Sequence, residues 1–177
     1  MSTVPPDVVY PAELEADVPT ACGVMHVRPM RPDDAEALVE FHERLSAESK
    51  YLRFFNAHPH LSAAEVQRFT HVDYVSRLAL VIESGGTIIG VGRYERLPDE
   101  SDAEVAFVIA DAYQTHGLGG LLLHRLASAA AERGIVRFVA ETLPDNRPMQ
   151  AVFRDSGFGV EARFKDGVVH FVFPIAR

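Results

Sequence analysis

The sequence predicts a mixed α/β (α+β) domain, one sheet with helices packed against it. Three observations carry this. The 177 residues are 47% apolar, enough for one substantial core and too few for two ordinary domains. Helical spacing dominates the first third of the chain, and β-rich runs separated by hairpin turns begin near residue 78. The apolar run Val105 to Ala110 then leads through a short loop into Gly117, Gly119 and Gly120, which open a helical pattern. A central buried strand therefore delivers the principal helix.

Taken in order, residues 1–22 carry four prolines (Pro5, Pro6, Pro11 and Pro19) and no periodicity, predicting a flexible lead-in before a domain of residues 23–177. Val24 to Val27 reads as a first strand. A helix follows over 33–45, with Asp33 as its cap and Leu38, Phe41 and Leu45 on one face. Ala47 to Phe55 predicts a second short helix, and Ser62 with Glu65 forms a capping box that opens a third through Phe69. Phe54, Phe55 and Phe69 are expected in the core. Leu78 to Ile82 and Thr87 to Tyr94 are strands joined by a glycine turn at 84–86. The strand Ala103 to Ala110 barely alternates, which predicts cover on both its faces. Gly117 to Arg133 is a helix closed by Gly134, and Ile135 to Glu141 is a strand. A helix capped at Asp145-Asn146 runs to about Ser156, and a hairpin around Asp166-Gly167 ends the chain.

Composition excludes several functions. No apolar run is long enough to cross a bilayer, and the N-terminus has neither a basic start nor an apolar signal core. The expectation is a cytoplasmic protein with no membrane partner. A single cysteine, Cys22, makes no internal disulfide and agrees with a reducing compartment. The net charge of −8 argues against nucleic-acid binding and favours a cationic partner. His58, His60 and His71 lie near one another in sequence, but neither a cysteine partner nor a His-Glu-x-x-His pattern accompanies them, so no metal is expected.

The glycines at 117–120 remove side chains where a helix begins, so unpaired N–H groups there can approach a pyrophosphate. The same glycines could instead relieve crowding at a helix start. The spacing is not that of a dinucleotide fingerprint, and no Gly-Lys-Ser/Thr follows to hold a nucleoside triphosphate.

The run Gln114-Thr115-His116-Gly117-Leu118-Gly119, between a strand and a helix, matches the Gln/Arg-x-x-Gly-x-Gly/Ala loop of the GNAT family of N-acetyltransferases. Asn146, followed by Ala151-Val152-Phe153-Arg154-Asp155-Ser156-Gly157-Phe158, resembles the closing helix and Gly-Phe ending of the same family. The resemblance spans roughly residues 24–173. Arg28-Pro29-Met30-Arg31-Pro32-Asp33-Asp34, Tyr51-Leu52-Arg53-Phe54-Phe55, Phe69-Thr70-His71-Val72-Asp73 and Glu104-Val105-Ala106-Phe107-Val108 look like the bacterial protein lysine acetyltransferases that modify acyl-CoA synthetases. In those proteins the domain is often fused to a cyclic-nucleotide-binding or synthetase-like region.

The resemblance implies the GNAT fold, a mixed, mostly antiparallel central sheet flanked by helices, with acetyl-CoA as co-substrate and no metal. It implies a protein partner bearing a reactive lysine, an acyl-CoA synthetase. Glu104 matches the catalytic glutamate. Main-chain groups of Ala106, Phe107 and Val108 would hold the pantetheine arm and thioester, and Gln114, Thr115, His116, Gly117, Leu118, Gly119 and Gly120 the pyrophosphate. Asn146 and Arg154 could touch the cofactor, or be a helix cap and a surface charge. A lysine with a pKa near ~10.4 must lose a proton before attack, costing about 4.6 kcal/mol at pH 7, so a base is useful. Phe107 lies about 10 Å along the strand from Glu104, so the carboxylate is expected to act through water. Many family members carry a tyrosine at Phe153 to protonate the leaving thiolate, and this chain cannot use one there. Acetylation of a small-molecule amine and a non-catalytic acyl-CoA-sensing module remain alternatives.

Overall fold

The computed structural model describes residues 8–99 and 101–175. Its strands are β1 (Ala16–Thr20), β2 (Gly23–Pro29), β3 (Arg77–Ser84), β4 (Thr87–Arg96), β5 (Asp102–Ile109), β6 (Arg137–Thr142), β7 (Glu161–Lys165) and β8 (Val168–Pro174). Its helices are α1 (Ala35–Arg44), α2 (Ala47–Phe54), α3 (Ala63–Thr70), α4 (Leu118–Glu132) and α5 (Arg147–Arg154). The strands form one sheet in the order β1-β2-β3-β4-β5-β6-β8-β7. Every neighbouring pair is antiparallel except β5 and β6. Those two run parallel because α4 carries the chain back across the sheet between them.

Local chemistry sets most boundaries. The Ser46 hydroxyl accepts the Ser49 N–H at 3.1 Å to start α2, and the Ser62–Glu65 capping box starts α3 as its spacing predicts. Paired positive φ angles at Gly85-Gly86 and at Asp166-Gly167 make the tight turns that fix the β3–β4 and β7–β8 registers.

Each face of the sheet carries its own core. Leu118, Leu122 and Leu126 of α4 pack on Val105, Phe107 and Ile109 of β5 and, with Phe153 of α5, on Phe138, Phe171 and Phe173. On the other face Leu38, Phe41 and Leu45 pack against Ala79, Val81 and Val91.

Four expectations are corrected. The lead-in over 1–22 is not loose where it is described: Ala16–Thr20 pairs along β2, and residues 1–7 lie outside the described residues. Asp33 is exposed and does not cap α1. The adjoining Asp34 is buried instead, accepting the Arg31 N–H at 2.6 Å and both terminal nitrogens of Arg28 at 2.8 Å. β5 alternates in burial although its sequence does not: Val105, Phe107 and Ile109 are buried, whereas Ala106 and Val108 are half-buried and Glu104 is exposed. The cause is a groove on the α1–α3 side, which also leaves Phe54 and Phe69 only half-buried; Phe55, beyond the end of α2, is half-buried as well.

Candidate active site

β5 and β6 pair only at Asp102↔Arg137, Ala103↔Phe138 and Glu104↔Val139. The Asp102 carboxylate accepts Arg137 Nε and Nη2 at 3.0 and 3.1 Å, clamping the strands just before they part. Beyond Glu104, β5 continues along β4 alone and β6 along β8 alone, so the sheet opens into a gap. Hydrogen bonds from Ala110 N–H to Ile89 O and from Leu97 N–H to Asp102 O, both 2.8 Å, set the phase of the β4–β5 ladder. Even-numbered residues of β5 therefore bond to β4, and the main chain of Val105, Phe107 and Ile109 faces the gap. The Ile109 carbonyl accepts Gln114 Nε2 at 3.0 Å. Of the three residues expected to offer main-chain groups, only Phe107 does so. Ala106 and Val108 spend theirs on β4 and contribute side chains to the face that carries Glu104.

The gap opens onto the start of α4. Leu121 N–H makes the first intrahelical bond, to Gly117 O at 3.1 Å, so the N–H groups of Leu118, Gly119 and Gly120 precede it. The glycines have separate reasons to be there. Gly117 adopts a φ of +82°, and a Cβ at Gly119 would stand 3.2 Å from Val152 Cγ2, where α5 packs against α4. A Cβ at Gly120 would meet nothing within 4 Å. Crowding relief and a helix start with open N–H groups thus coexist in one loop.

A cavity of about 480 Å³ runs from the gap to this helix start, lined by Phe107, Val108, Gln114, Thr115, Gly117, Leu118, Gly119, Gly120 and Asn146 among the expected residues. His116 is exposed and does not line it. Arg154 also lies outside: its guanidinium sits 5.8 Å from the Phe171 ring centroid and contacts Gln150. Asn146 is the cap of α5, accepting the Met149 N–H at 3.3 Å, and it also lines the cavity. Gln114 is a brace, its amide joining the Ile109 carbonyl to Ser49 Oγ. The Ser49 hydroxyl in turn meets the Asp111 carboxylate, which also accepts Ser46 N–H and Oγ. Burial works to raise the Asp111 pKa, but these hydrogen bonds outweigh it and hold the carboxyl below its ordinary range.

Sequence reasoning missed Ser49, Leu52 and Arg53 of α2 and His124 of α4 as lining residues. The i, i+3, i+4 spacing of Ser49, Leu52 and Arg53 was the available signal, since it puts all three on one helix face. Phe153 is buried among Phe107, Phe171 and Phe173, at ring distances of 6.2, 5.0 and 5.6 Å. That position therefore supplies packing and no acid.

Glu104 lies opposite Glu95 on β4 and beside Val139 on β6. Glu141, two residues further along β6, shares its face. Glu95, Glu104 and Glu141 thus place three carboxylates across the mouth of the gap, with His170 Nδ1 3.2 Å from Glu141. Although the Glu104 side chain reaches solvent, crowding by its surroundings raises its pKa, the Glu141 and Glu95 charges add to this, and Arg53 opposes it. A carboxylate so perturbed is a better proton acceptor at neutral pH, and Glu104 and Glu141 attract a cation, Glu95 being paired already with Arg68 at 2.5 Å.

A second, smaller cavity lies on the same face, lined by Arg53, Phe54, Phe69, Arg93, Ala106 and Val108 among others. Ala106, expected at the thioester, belongs here. Among the described residues no group of three metal-ligating side chains converges, and no helix is long and apolar enough to cross a membrane.

An acetyltransferase (GNAT) domain family matches residues 25–159. The GNAT domain of S. lividans PAT superposes with a TM-score of 0.89 at 46% identity, covering 94% of this chain and 99% of that one. Acetyltransferase Pat of Mycolicibacterium smegmatis is 32% identical over 130 residues, 72% of this chain. The match spans only 39% of that longer protein. Acetyltransferase PA5475 of Pseudomonas aeruginosa is 29% identical over 136 residues, 75% of this chain and 73% of its own length. With a sheet that parts beside a glycine-opened helix, and with the family matched over most of its length, this chain belongs to the GNAT acetyltransferases and is similar to the GNAT domains of Pat proteins.

Proposed function

We propose that the protein transfers an acetyl group from acetyl-CoA to the ε-amine of a protein lysine, with an acyl-CoA synthetase as the acceptor and the cytoplasm as the setting. The observation that carries this is the parting of β5 and β6 immediately after Glu104. It opens one path with a carboxylate row at its mouth, the Phe107 main chain along its wall and free helix N–H groups at its far end.

Acetyl-CoA supplies the activated thioester. The N–H groups of Leu118, Gly119 and Gly120 suit its pyrophosphate, where the helix start favours negative charge. The Phe107 N–H suits the carbonyl oxygen of the acyl group, which gains charge as the amine attacks. Glu104 and Glu141 draw the ammonium form of the lysine in, and Glu104 takes a proton from the amine through a water. A C–N bond forms and the C–S bond breaks. The thiol, with an ordinary pKa near ~8.5, leaves tolerably as the thiolate, so no acid is required at Phe153.

A protein acceptor is favoured over a small amine by the likeness to Pat GNAT domains and by a rim whose acidity suits a cationic segment. Incubation of an acyl-CoA synthetase with the protein and acetyl-CoA, followed by acetyl-lysine immunoblot and mass mapping of the modified residue, tests this. One dominant acetylated lysine is expected. No protein signal beside rapid turnover of a free amine would overturn the protein-acceptor reading.

A further inference from the structure

The small cavity on the α1–α3 face has a composition that acetyl transfer alone does not explain. Its volume is about 30 Å³, and its walls include Leu38, Phe41 and Leu45. Arg53 and Arg93 also line it and, among the described residues, are its only formally charged side chains. The third polar wall residue, His42, bonds the His58 carbonyl through Nε2 at 2.7 Å, and burial lowers its pKa, so it adds no positive charge.

Neither guanidinium has a carboxylate within 4.0 Å among the described residues. Arg53 lies over the Phe54 ring at 4.7 Å. Arg93 lies over the Phe69 ring at 4.2 Å, with one long contact of 3.4 Å to the Phe69 carbonyl. Burial, and after it the Arg53 charge, pulls the Arg93 pKa down to about 9, and burial lowers that of Arg53. Both side chains are half-buried, and carboxylate charges reach them only from beyond contact distance, Glu104 and Glu65 for Arg53 and Glu95 for Arg93. Holding two guanidiniums in one cavity is therefore costly, and an anion seated between them lowers that cost. Planar guanidiniums match a carboxylate in particular.

The location says which molecule would bring that carboxylate. Arg53 and Val108 line both cavities, so the small one adjoins the large one where Phe107 turns its main chain to the gap. The small cavity has room for roughly one to two water-sized groups, too little for a peptide segment. The mouth of the gap is meanwhile lined by Glu104 and Glu141, with Glu95 paired to Arg68, so an acidic peptide would be repelled there. We infer that the small cavity receives the terminal carboxylate of a dicarboxylic acyl group, so that malonyl- and succinyl-type CoA thioesters serve as donors alongside acetyl-CoA.

This rests on the acyl-transfer reading above and extends it to the donor. The balance is that of acetyl transfer: the amine nitrogen bonds the thioester carbon, the thiolate departs, and the amine proton passes toward Glu104. The distal carboxylate is carried over unchanged.

The test compares kcat/KM for acetyl-, butyryl-, malonyl- and succinyl-CoA in the parent protein, Arg93→Met and Arg93→Lys, with calorimetric binding of succinyl- and butyryl-CoA in parallel. The parent should use a dicarboxylic donor and bind succinyl-CoA about tenfold or more tighter than butyryl-CoA. Arg93→Met should erase that preference while retaining acetyl transfer, and Arg93→Lys should restore part of it. Acetyl transfer with no use or binding of dicarboxylic thioesters would overturn the inference. So would equal loss for all donors in Arg93→Met, or a loss confined to acceptors with an acidic residue beside the lysine. If no thioester is transferred to any acceptor, the acyl-transfer reading fails, and the binding comparison still decides the anion site: equal affinities would refute it.

Discussion

Glu104 faces two carboxylates across the sheet, and this arrangement has consequences in both pH and stability. Because Glu141 raises the Glu104 pKa, removing its charge should lower that pKa. The acidic limb of kcat/KM is therefore expected to move to lower pH in Glu141→Gln, with the plateau of kcat retained and KM for the amine raised by the lost charge. A limb that stays in place would show that Glu104 does not govern it. The stability effect has the opposite sign from that of a salt-bridged carboxylate. A glutamate whose folded pKa exceeds its unfolded value loses stability as pH rises through the two values, since the native state holds the proton more tightly. Glu104→Gln removes that penalty, so its thermal midpoint at pH 7 should not fall below that of the parent. Lost activity in this variant would then report chemistry rather than unfolding.

At the scale of elements, the start of α4 combines three glycine roles, and only one gives a clean test. Gly117 needs its positive φ, and a Cβ at Gly119 would press on Val152 of α5. Gly120 faces open space, and an acidic side chain in the first turn suits the helix dipole. Gly120→Asp should fold normally yet bind CoA at least about tenfold more weakly by calorimetry, through charge repulsion. Unchanged affinity would place the pyrophosphate elsewhere. On the other side of the sheet, Arg28 bonds the Asp34 carboxylate twice and the Glu83 carboxylate through Nε at 2.8 Å, which raises the Arg28 pKa against the effect of burial. Arg28→Met leaves Asp34 charged and buried, and is expected to cost about 3–5 kcal/mol in denaturant unfolding. The Arg-Pro-Met-Arg-Pro-Asp-Asp segment, quoted above for its family likeness, thus has a structural reason of its own: it ties β2 to the entry of α1.

For the whole molecule, helices, hairpins and the glycine loop were legible because each depends on neighbours in sequence: Ser62 with Glu65, Gly85 with Gly86, Asp166 with Gly167. What depended on pairing was not. β1 was missed because Pro19 breaks its strand pattern, and proline is tolerated there only because β1 is an edge strand. The gap after Glu104 is a property of two strands that part, so the main-chain role expected of Ala106 and Val108 could not be separated from that of Phe107 until the ladder phase was known. Arg53 was visible within Tyr51-Leu52-Arg53-Phe54-Phe55, but which side of α2 meets a cavity is set by packing against β5. The net charge of −8 is likewise spread unevenly, with acidic residues at the mouth of the gap and two guanidiniums beneath it.

The central claim is that Glu104 takes the proton from an amine delivered to the parted strands. Its most direct test is the single-turnover rate of acetyl transfer from acetyl-CoA to an acyl-CoA synthetase lysine at pH 7, comparing Glu104→Gln with the parent at saturating acetyl-CoA. A fall of roughly 100-fold or more is expected, with acetyl-CoA affinity unchanged. Transfer at the parental rate would contradict the account.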